Sequence, residues 1–167
     1  NKRFSKNQDL AADAAFTAGE VYEQMAYFDR AQVAYALVAD DHSRHKRASD
    51  ALFNAAVLAQ AQGQTQEAIA RYQKYTTRYR NDRDAEDVLF RVGVVYEDAK
   101  NYGKAAEAYA TYLRRYRDGK HAIEAEARAG RNELRLGQEK RAQGHLVAAI
   151  SRWRSGGQSP ANARWAA

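Results

Sequence analysis

The chain has 167 residues, 45% of them apolar, and carries 27 lysines and arginines against 21 aspartates and glutamates. This composition supports a buried core and argues against disorder. It contains no cysteine, which excludes disulfides, thiolate metal sites and cysteine nucleophiles. A single proline among many alanines favours helix nearly throughout.

The elements repeat along the chain. Four aligned segments read DAAFTAGEVYE (13–23), DALFNAAVLAQ (50–60), DVLFRVGVVYE (87–97) and EAEARAGRNEL (124–134), each 37 residues after the last. They predict four repeats, near 12–48, 49–85, 86–122 and 123–158. Residues 159–167 are predicted to start a fifth repeat, whose Trp165 would pack near Ile150 and Trp153.

Each repeat is predicted to form two helices. A small residue in the first helix (Gly19, Ala56, Gly93 and Gly130) recurs in register with a bulky one in the second (Tyr35, Tyr72, Tyr109 and Leu146). Such pairs let two helices approach closely. Gly63 and Gly137 are expected to end the first helix of their repeats in the left-handed conformation.

The second helices of repeats two and three are rich in tyrosine and arginine, in AIARYQKYTTRYR (68–80) and AAEAYATYLRRYR (105–117). Their apolar residues follow one helical stripe, so we expect the tyrosines in the core and the arginines in solvent. The alternative is an exposed platform on which nucleic-acid bases stack.

This pattern resembles the tetratricopeptide repeat, through AGEVY (18–22), VGVVY (92–96) and, more weakly, AGRNE (129–133). The resemblance implies an all-α fold, a right-handed α-solenoid of antiparallel helix pairs. It also implies a non-catalytic scaffold that binds a partner protein or peptide in a concave groove. The tyrosine pattern of the second helix resembles bacterial envelope members, of the Tol-Pal-associated and outer-membrane assembly types. Periplasm or outer-membrane association is therefore favoured, with the cytoplasm left open.

The resemblance also places partner-binding residues on the first helix of each repeat. The predicted residues are Phe16, Phe53, Phe90, Val57, Val94, Asn54, Arg91, Arg128, Arg131 and Arg135. We expect Phe53 and Phe90 to be partly exposed, as anchors for a segment with an apolar middle and an acidic end. The alternative is that the phenylalanines pack between adjacent helices.

The positive charge is concentrated late in the chain. Residues 1–110 hold 15 lysines and arginines against 16 acidic residues, whereas residues 111–167 hold 12 against 5. A nucleic-acid-binding module that uses this basic third is the alternative function. No apolar run of about 18 residues occurs, so membrane association is expected only through parts outside this chain.

No catalytic or metal-binding pattern is found in the sequence. The four histidines match no zinc spacing, and neither a phosphate-binding glycine loop nor a nucleophile motif occurs. We therefore predict no metal, no cofactor and no enzymatic activity.

Overall fold

The computed structural model describes residues 2–156, with side chains described from residue 7 onward. These residues form eight α-helices: α1 (Lys2–Gln24), α2 (Phe28–Asp41), α3 (Ala48–Ala61), α4 (Thr65–Arg78), α5 (Ala85–Asp98), α6 (Tyr102–Arg115), α7 (Ala122–Arg135) and α8 (Glu139–Gly156). The expected all-α helical-repeat solenoid is confirmed. The predicted fifth repeat at 159–167, with Trp165, lies outside the described residues.

The helices follow the period seen in the sequence. The first helices of repeats two to four begin at Ala48, Ala85 and Ala122, and their second helices begin at Thr65, Tyr102 and Glu139. Both series recur every 37 residues. α1 is longer, because its 23 residues begin well before the predicted repeat boundary near residue 12.

The helices pack in consecutive pairs within two compact units, residues 1–82 and 83–167. In the N-terminal unit α1 packs on α2, α2 on α3 and α3 on α4. In the C-terminal unit α5 packs on α6, α6 on α7 and α7 on α8. α2, α3, α6 and α7 each pack against two neighbours and therefore bury two faces. None of the helices in the described residues is long and apolar enough to cross a bilayer.

The predicted pairs of small and bulky residues lie at the helix contacts. A Cβ added to Gly19 would lie 2.7 Å from the Tyr35 ring, and one added to Gly93 would lie 2.5 Å from the Tyr109 ring. Both distances are shorter than a van der Waals contact, so these positions need glycine for space. The helices approach closely because the ring occupies the volume that a side chain would fill.

The tyrosines of the second helices form much of the core, as predicted. Tyr72 and Tyr109 are 0% exposed, and Tyr79 and Tyr116 are half-buried. In the C-terminal unit Tyr109 belongs to a cluster that also includes Leu89, Phe90, Ala105, Tyr112, Ala125 and Ala129. Buried rings cannot serve as a platform for stacking bases.

The turn after each first helix uses the left-handed conformation. Gly63 and Gly137 have φ of 72°, as predicted. The same position in the other two repeats is occupied by Ala26 (φ 60°) and Lys100 (φ 58°). A side chain is strained in this conformation. Backbone hydrogen bonds close both turns, from Tyr27 N to Tyr22 O at 2.8 Å and from Asn101 N to Tyr96 O at 2.9 Å.

Candidate partner-binding surface

Two of the three predicted phenylalanines, Phe16 and Phe90, lie in the core. Phe16 is 3% exposed and Phe90 is 7% exposed, so the expectation that Phe90 lies partly open is wrong. Phe53 is half-buried, as expected, and its ring centroid lies 6.2 Å from that of Tyr72. The alternative interpretation, in which these rings pack between helices, holds for Phe16 and Phe90.

Residues just before the next first helix cover the two buried rings. The Arg47 guanidinium lies 3.6 Å from the centroid of the Phe16 ring. The His121 imidazole is stacked on Phe90, with centroids 4.4 Å apart and an interplanar angle of 15°. Because the connection between repeats folds back over the ring, the position faces protein rather than solvent.

The remaining apolar and amide candidates are also partly covered. Asn54, Val57 and Val94 are half-buried. Val94 packs against the core cluster of the C-terminal unit. These side chains offer limited area to a partner.

Arg128 is held by two carboxylates. Its Nε donates to Glu124 Oε1 at 2.7 Å and its Nη1 donates to Glu97 Oε2 at 2.9 Å, and the Arg128 side chain is 22% exposed. Burial favours a lower pKa for Arg128, but the hydrogen bonds that Arg128 donates to Glu97 and Glu124 outweigh it and raise the pKa. Two acidic neighbours already neutralise this guanidinium.

Arg131 and Arg135 lie on the same helix as Arg128 and are exposed. Arg135 Nη1 is 3.8 Å from Glu97 Oε1, and its guanidinium lies 4.7 Å from the centroid of the Tyr102 ring. Arg131 makes no ion pair or hydrogen bond with any residue of the described part of the chain. We call Arg128, Arg131 and Arg135 the α7 arginine face. Arg131 and Arg135 are its exposed members.

Glu97 binds two side chains at this surface, a role that was not predicted from the sequence. It accepts hydrogen bonds from Tyr109 Oη and Arg128 Nη1, both at 2.9 Å. A signal was present, because a polar acceptor recurs at this position as Glu23, Gln60 and Glu97. Each accepts from the tyrosine 12 residues later, at 2.9, 3.0 and 2.9 Å.

The predicted candidates therefore separate into three groups, of which the half-buried one consists of Phe53, Asn54, Val57 and Val94. Phe16, Phe90 and Arg128 are taken up by contacts within the fold, whereas Arg91, Arg131 and Arg135 are exposed. Within residues 7–156, no group of three histidine or acidic side chains is arranged to hold a metal ion.

Comparison with known proteins supports the repeat assignment. A family model described as tetratricopeptide repeat matches residues 50–82 and 87–119. No curated protein sequence matches the chain. Helix pairs α1–α2 and α7–α8 lie largely outside the matched segments.

Solved structures share this fold at low sequence identity. The crystal structure of MamA matches with a TM-score of 0.65 and 17% identity, covering 95% of this chain and 87% of that one. A tetratricopeptide repeat protein from Parabacteroides merdae matches with a TM-score of 0.69 and 14% identity, covering 92% and 56%. BtubC from P. vanneervenii matches with a TM-score of 0.67 and 12% identity, covering 91% and 66%.

Proposed function

We propose, from the match of residues 50–82 and 87–119 to the tetratricopeptide repeat model, that this chain is a non-catalytic scaffold that binds a segment of another protein. We assign the contact to the exposed side of the α7 arginine face. The observation that carries this assignment is Arg131, an exposed guanidinium that no described residue neutralises.

The charge distribution around Arg131 defines the partner. Arg135 lies one turn further along α7, and the carboxylate nearest to it in the structure, Glu97, is shared with Arg128. Two guanidiniums on one helix face attract a carboxylate-rich segment and can grip it through bidentate hydrogen bonds. The partner is therefore an acidic protein segment.

One apolar candidate precedes Glu97 on α5. Val94 on α5 is half-buried, and Glu97, which binds Arg128, follows it by one turn of the same helix. An apolar residue next to acidic ones in the partner would contact Val94. This retains the expected segment with an apolar middle and an acidic end, but it shifts the anchor from the phenylalanines to the arginines.

A designed peptide tests the proposal. The probe has a Leu-Val-Leu centre flanked by three glutamates on each side, and binding is followed by fluorescence anisotropy at low and physiological salt. Arg131→Glu with Arg135→Glu should weaken binding by about tenfold or more, because two positive charges that attract the peptide become negative. The same double variant should also make binding less dependent on salt concentration.

A matched double variant controls for total charge. Arg114 and Arg154 are exposed on α6 and α8, so Arg114→Glu with Arg154→Glu changes the net charge equally while leaving the α7 arginine face intact. Equal loss of binding in both double variants would contradict a defined surface. Tighter binding of single-stranded oligonucleotides than of the peptide, lost on the same Arg131 and Arg135 changes, would favour the nucleic-acid alternative.

The cellular setting is a separate part of the proposal. The tyrosine-rich second helices resemble bacterial envelope members of the family, which favours a partner at the cell envelope. Fractionation of cells that express the complete protein tests this, and recovery only with cytoplasmic proteins would contradict it.

A further inference from the structure

The last described helix pair differs from the others in the chemistry of its contact. Glu126 and Glu133 on α7 occupy the register positions of Leu89 and Tyr96 on α5, and His145 on α8 occupies that of Ala108 on α6. Both glutamates are 7% exposed. Relative to the α5–α6 pair, apolar side chains are thus replaced here by two buried carboxylates and an imidazole.

His145 bridges the two carboxylates. Its Nδ1 lies 2.5 Å from Glu126 Oε2, and its Nε2 lies 3.9 Å from Glu133 Oε1. The imidazole side chain is 25% exposed, so protons reach it from solvent. When both ring nitrogens carry protons, the cation faces an acceptor on each side.

The two carboxylates differ in their other partners. Glu126 Oε1 forms a longer ion pair with Arg152 Nε at 3.6 Å, and Arg152 is shared with Asp118. Glu133 Oε2 is buried and accepts no hydrogen bond from the described residues. Two buried like charges repel each other, and burying a carboxylate without a partner is costly.

We infer that His145 is a pH-sensitive latch that holds α8 against α7. The protonated imidazole on α8 interacts with Glu126 and Glu133, which both lie on α7. Loss of that proton leaves the two buried carboxylates of α7 without a cation between them, and α8 then loosens from α7.

The electrostatics of the site give the direction of the response. The hydrogen bond with the Glu126 carboxylate raises the pKa of His145, and burial lowers it by a smaller amount. The negative charges of Glu126 and Glu133 raise this pKa further. A raised folded-state pKa means that the stabilisation is complete below the ordinary value for histidine. It is lost as the pH rises through the folded-state pKa.

The other charged groups near the latch are Arg141 and Arg152 on α8 and Asp118, which follows α6 and lies 3.1 Å from Arg152 Nη1. Arg152 approaches Glu126, and its Nη1 donates to the Arg117 carbonyl at 2.7 Å, so it is shared with the end of α6. Arg141 lines the same shallow cleft as His145 but donates to Gln138 at 3.2 Å. Neither arginine replaces the proton between the two carboxylates.

Loosening of α8 has a structural consequence. Its apolar residues Leu146, Ile150 and Trp153 line a cleft together with Ile123 of α7. Release of α8 separates the two walls of this cleft. The latch thus couples pH to the amount of apolar surface that the last helix pair exposes.

Two measurements on the whole chain test the latch. NMR titration of the His145 ring should give a pKa above the ordinary range, and Glu126→Gln should return it toward that range. Amide hydrogen exchange should be measured at about pH 6 and pH 9 and corrected for the intrinsic exchange rates. Relative to α6, α8 should lose protection at the higher pH. The loss should be about tenfold for each unit by which the pKa of His145 is raised.

Variants separate charge from packing. His145→Gln should give weak protection of α8 at both pH values, whereas His145→Lys, which keeps its charge at pH 9, should retain it. His42→Gln, in the loop after α2, should behave as the unaltered chain. Protection of α8 that does not change with pH in the unaltered chain would overturn the inference. An unshifted titration of His145 would also overturn it, even if the His145 variants fail to fold.

Discussion

Tyr109 on α6 donates a 2.9 Å hydrogen bond to Glu97 at the end of α5, and its ring lies over Gly93 one turn earlier on that helix. One side chain therefore fills the gap left by a glycine and also satisfies a carboxylate that is largely buried. Burial, and the negative charge of Glu97, raise the pKa of Tyr109, so the hydroxyl stays protonated as a donor.

Removal of the Tyr109 ring should destabilise the protein strongly. Tyr109→Ala should lower the free energy of unfolding by about 3–5 kcal/mol, because it leaves a cavity in the core. Tyr109→Phe should cost about 1 kcal/mol, since only the hydrogen bond to Glu97 is lost. Arg115→Ala, at an exposed site on the same helix, should cost less than about 0.5 kcal/mol. Urea denaturation measures all three, and equal midpoints for Tyr109→Ala and Arg115→Ala would mean that the face of α6 is misassigned.

A methyl group at Gly93 should be tolerated less well than one at Gly130. The added Cβ would lie 2.5 Å from the rigid Tyr109 ring, but 3.0 Å from Leu146, whose side chain can move. Gly93→Ala should cost about 1–3 kcal/mol through overpacking. Gly130→Ala should cost less, because the helical preference of alanine offsets part of the contact, although the added Cβ would also lie 3.1 Å from the Ala142 carbonyl oxygen. Thermal unfolding of the two variants is the measurement, and a more harmful change at Gly130 would contradict the packing described here.

The strained turn after α5 should be improved by glycine. Lys100 is exposed and has φ of 58°, the conformation that Gly63 and Gly137 adopt at the same position. Lys100→Gly should raise the free energy of unfolding by about 0.5–1 kcal/mol, because relief of strain exceeds the entropy lost to a freer unfolded chain. Gly137→Lys is the reciprocal variant and should destabilise by a similar amount. Chemical denaturation that ranks the two variants the other way would refute the explanation.

Acid should weaken the C-terminal unit partly through Asp87. Its Oδ2 lies 2.7 Å from Lys120 Nζ, and its Oδ1 lies 2.6 Å from His121 Nε2. Burial favours a higher pKa for Asp87, but these partners outweigh it and lower the pKa. A lowered folded-state pKa gives stability that is present above about pH 4 and is lost as the pH falls. Asp87→Asn should therefore lose less stability than the unaltered chain between pH 5 and pH 3, and Asp98→Asn, at an exposed site on α5, serves as the control.

The fold could be predicted because its determinants are periodic. The 37-residue repeat placed Gly93 and Tyr109 at one contact, and the stripe on α6 placed its tyrosines in the core. The burial of Phe90 could not be predicted in this way, because it depends on His121, which stacks on the ring from the connection before α7. The corresponding residue that covers Phe16 is Arg47, so chemically different side chains perform the same task.

The sequence indicated which helix carries the three arginines, but it did not indicate which of them form ion pairs. Arg128 was assigned to the partner because its position on the helix resembles that of ligand-contacting residues in the family. Its true neighbour Glu97 lies in the preceding repeat, and the ion pair of 2.9 Å requires the two helices to be placed in three dimensions. Sequence spacing along one helix cannot show which of several arginines is already neutralised.

Arg128 and Arg131 should consequently differ in what they contribute. Arg128→Gln should lower the free energy of unfolding by about 1–3 kcal/mol, because Glu97, whose side chain is 10% exposed, loses its charged hydrogen bond. Arg131→Gln should change stability by less than about 0.5 kcal/mol, as expected of an exposed side chain without partners in the described structure. In peptide binding the order should reverse, with Arg131→Gln weakening the complex more than Arg128→Gln does. Urea denaturation and anisotropy on the same preparations give both comparisons. If Arg128→Gln leaves stability unchanged yet removes binding, Arg128 belongs to the contact surface, and the division of the α7 arginine face between structure and recognition is wrong.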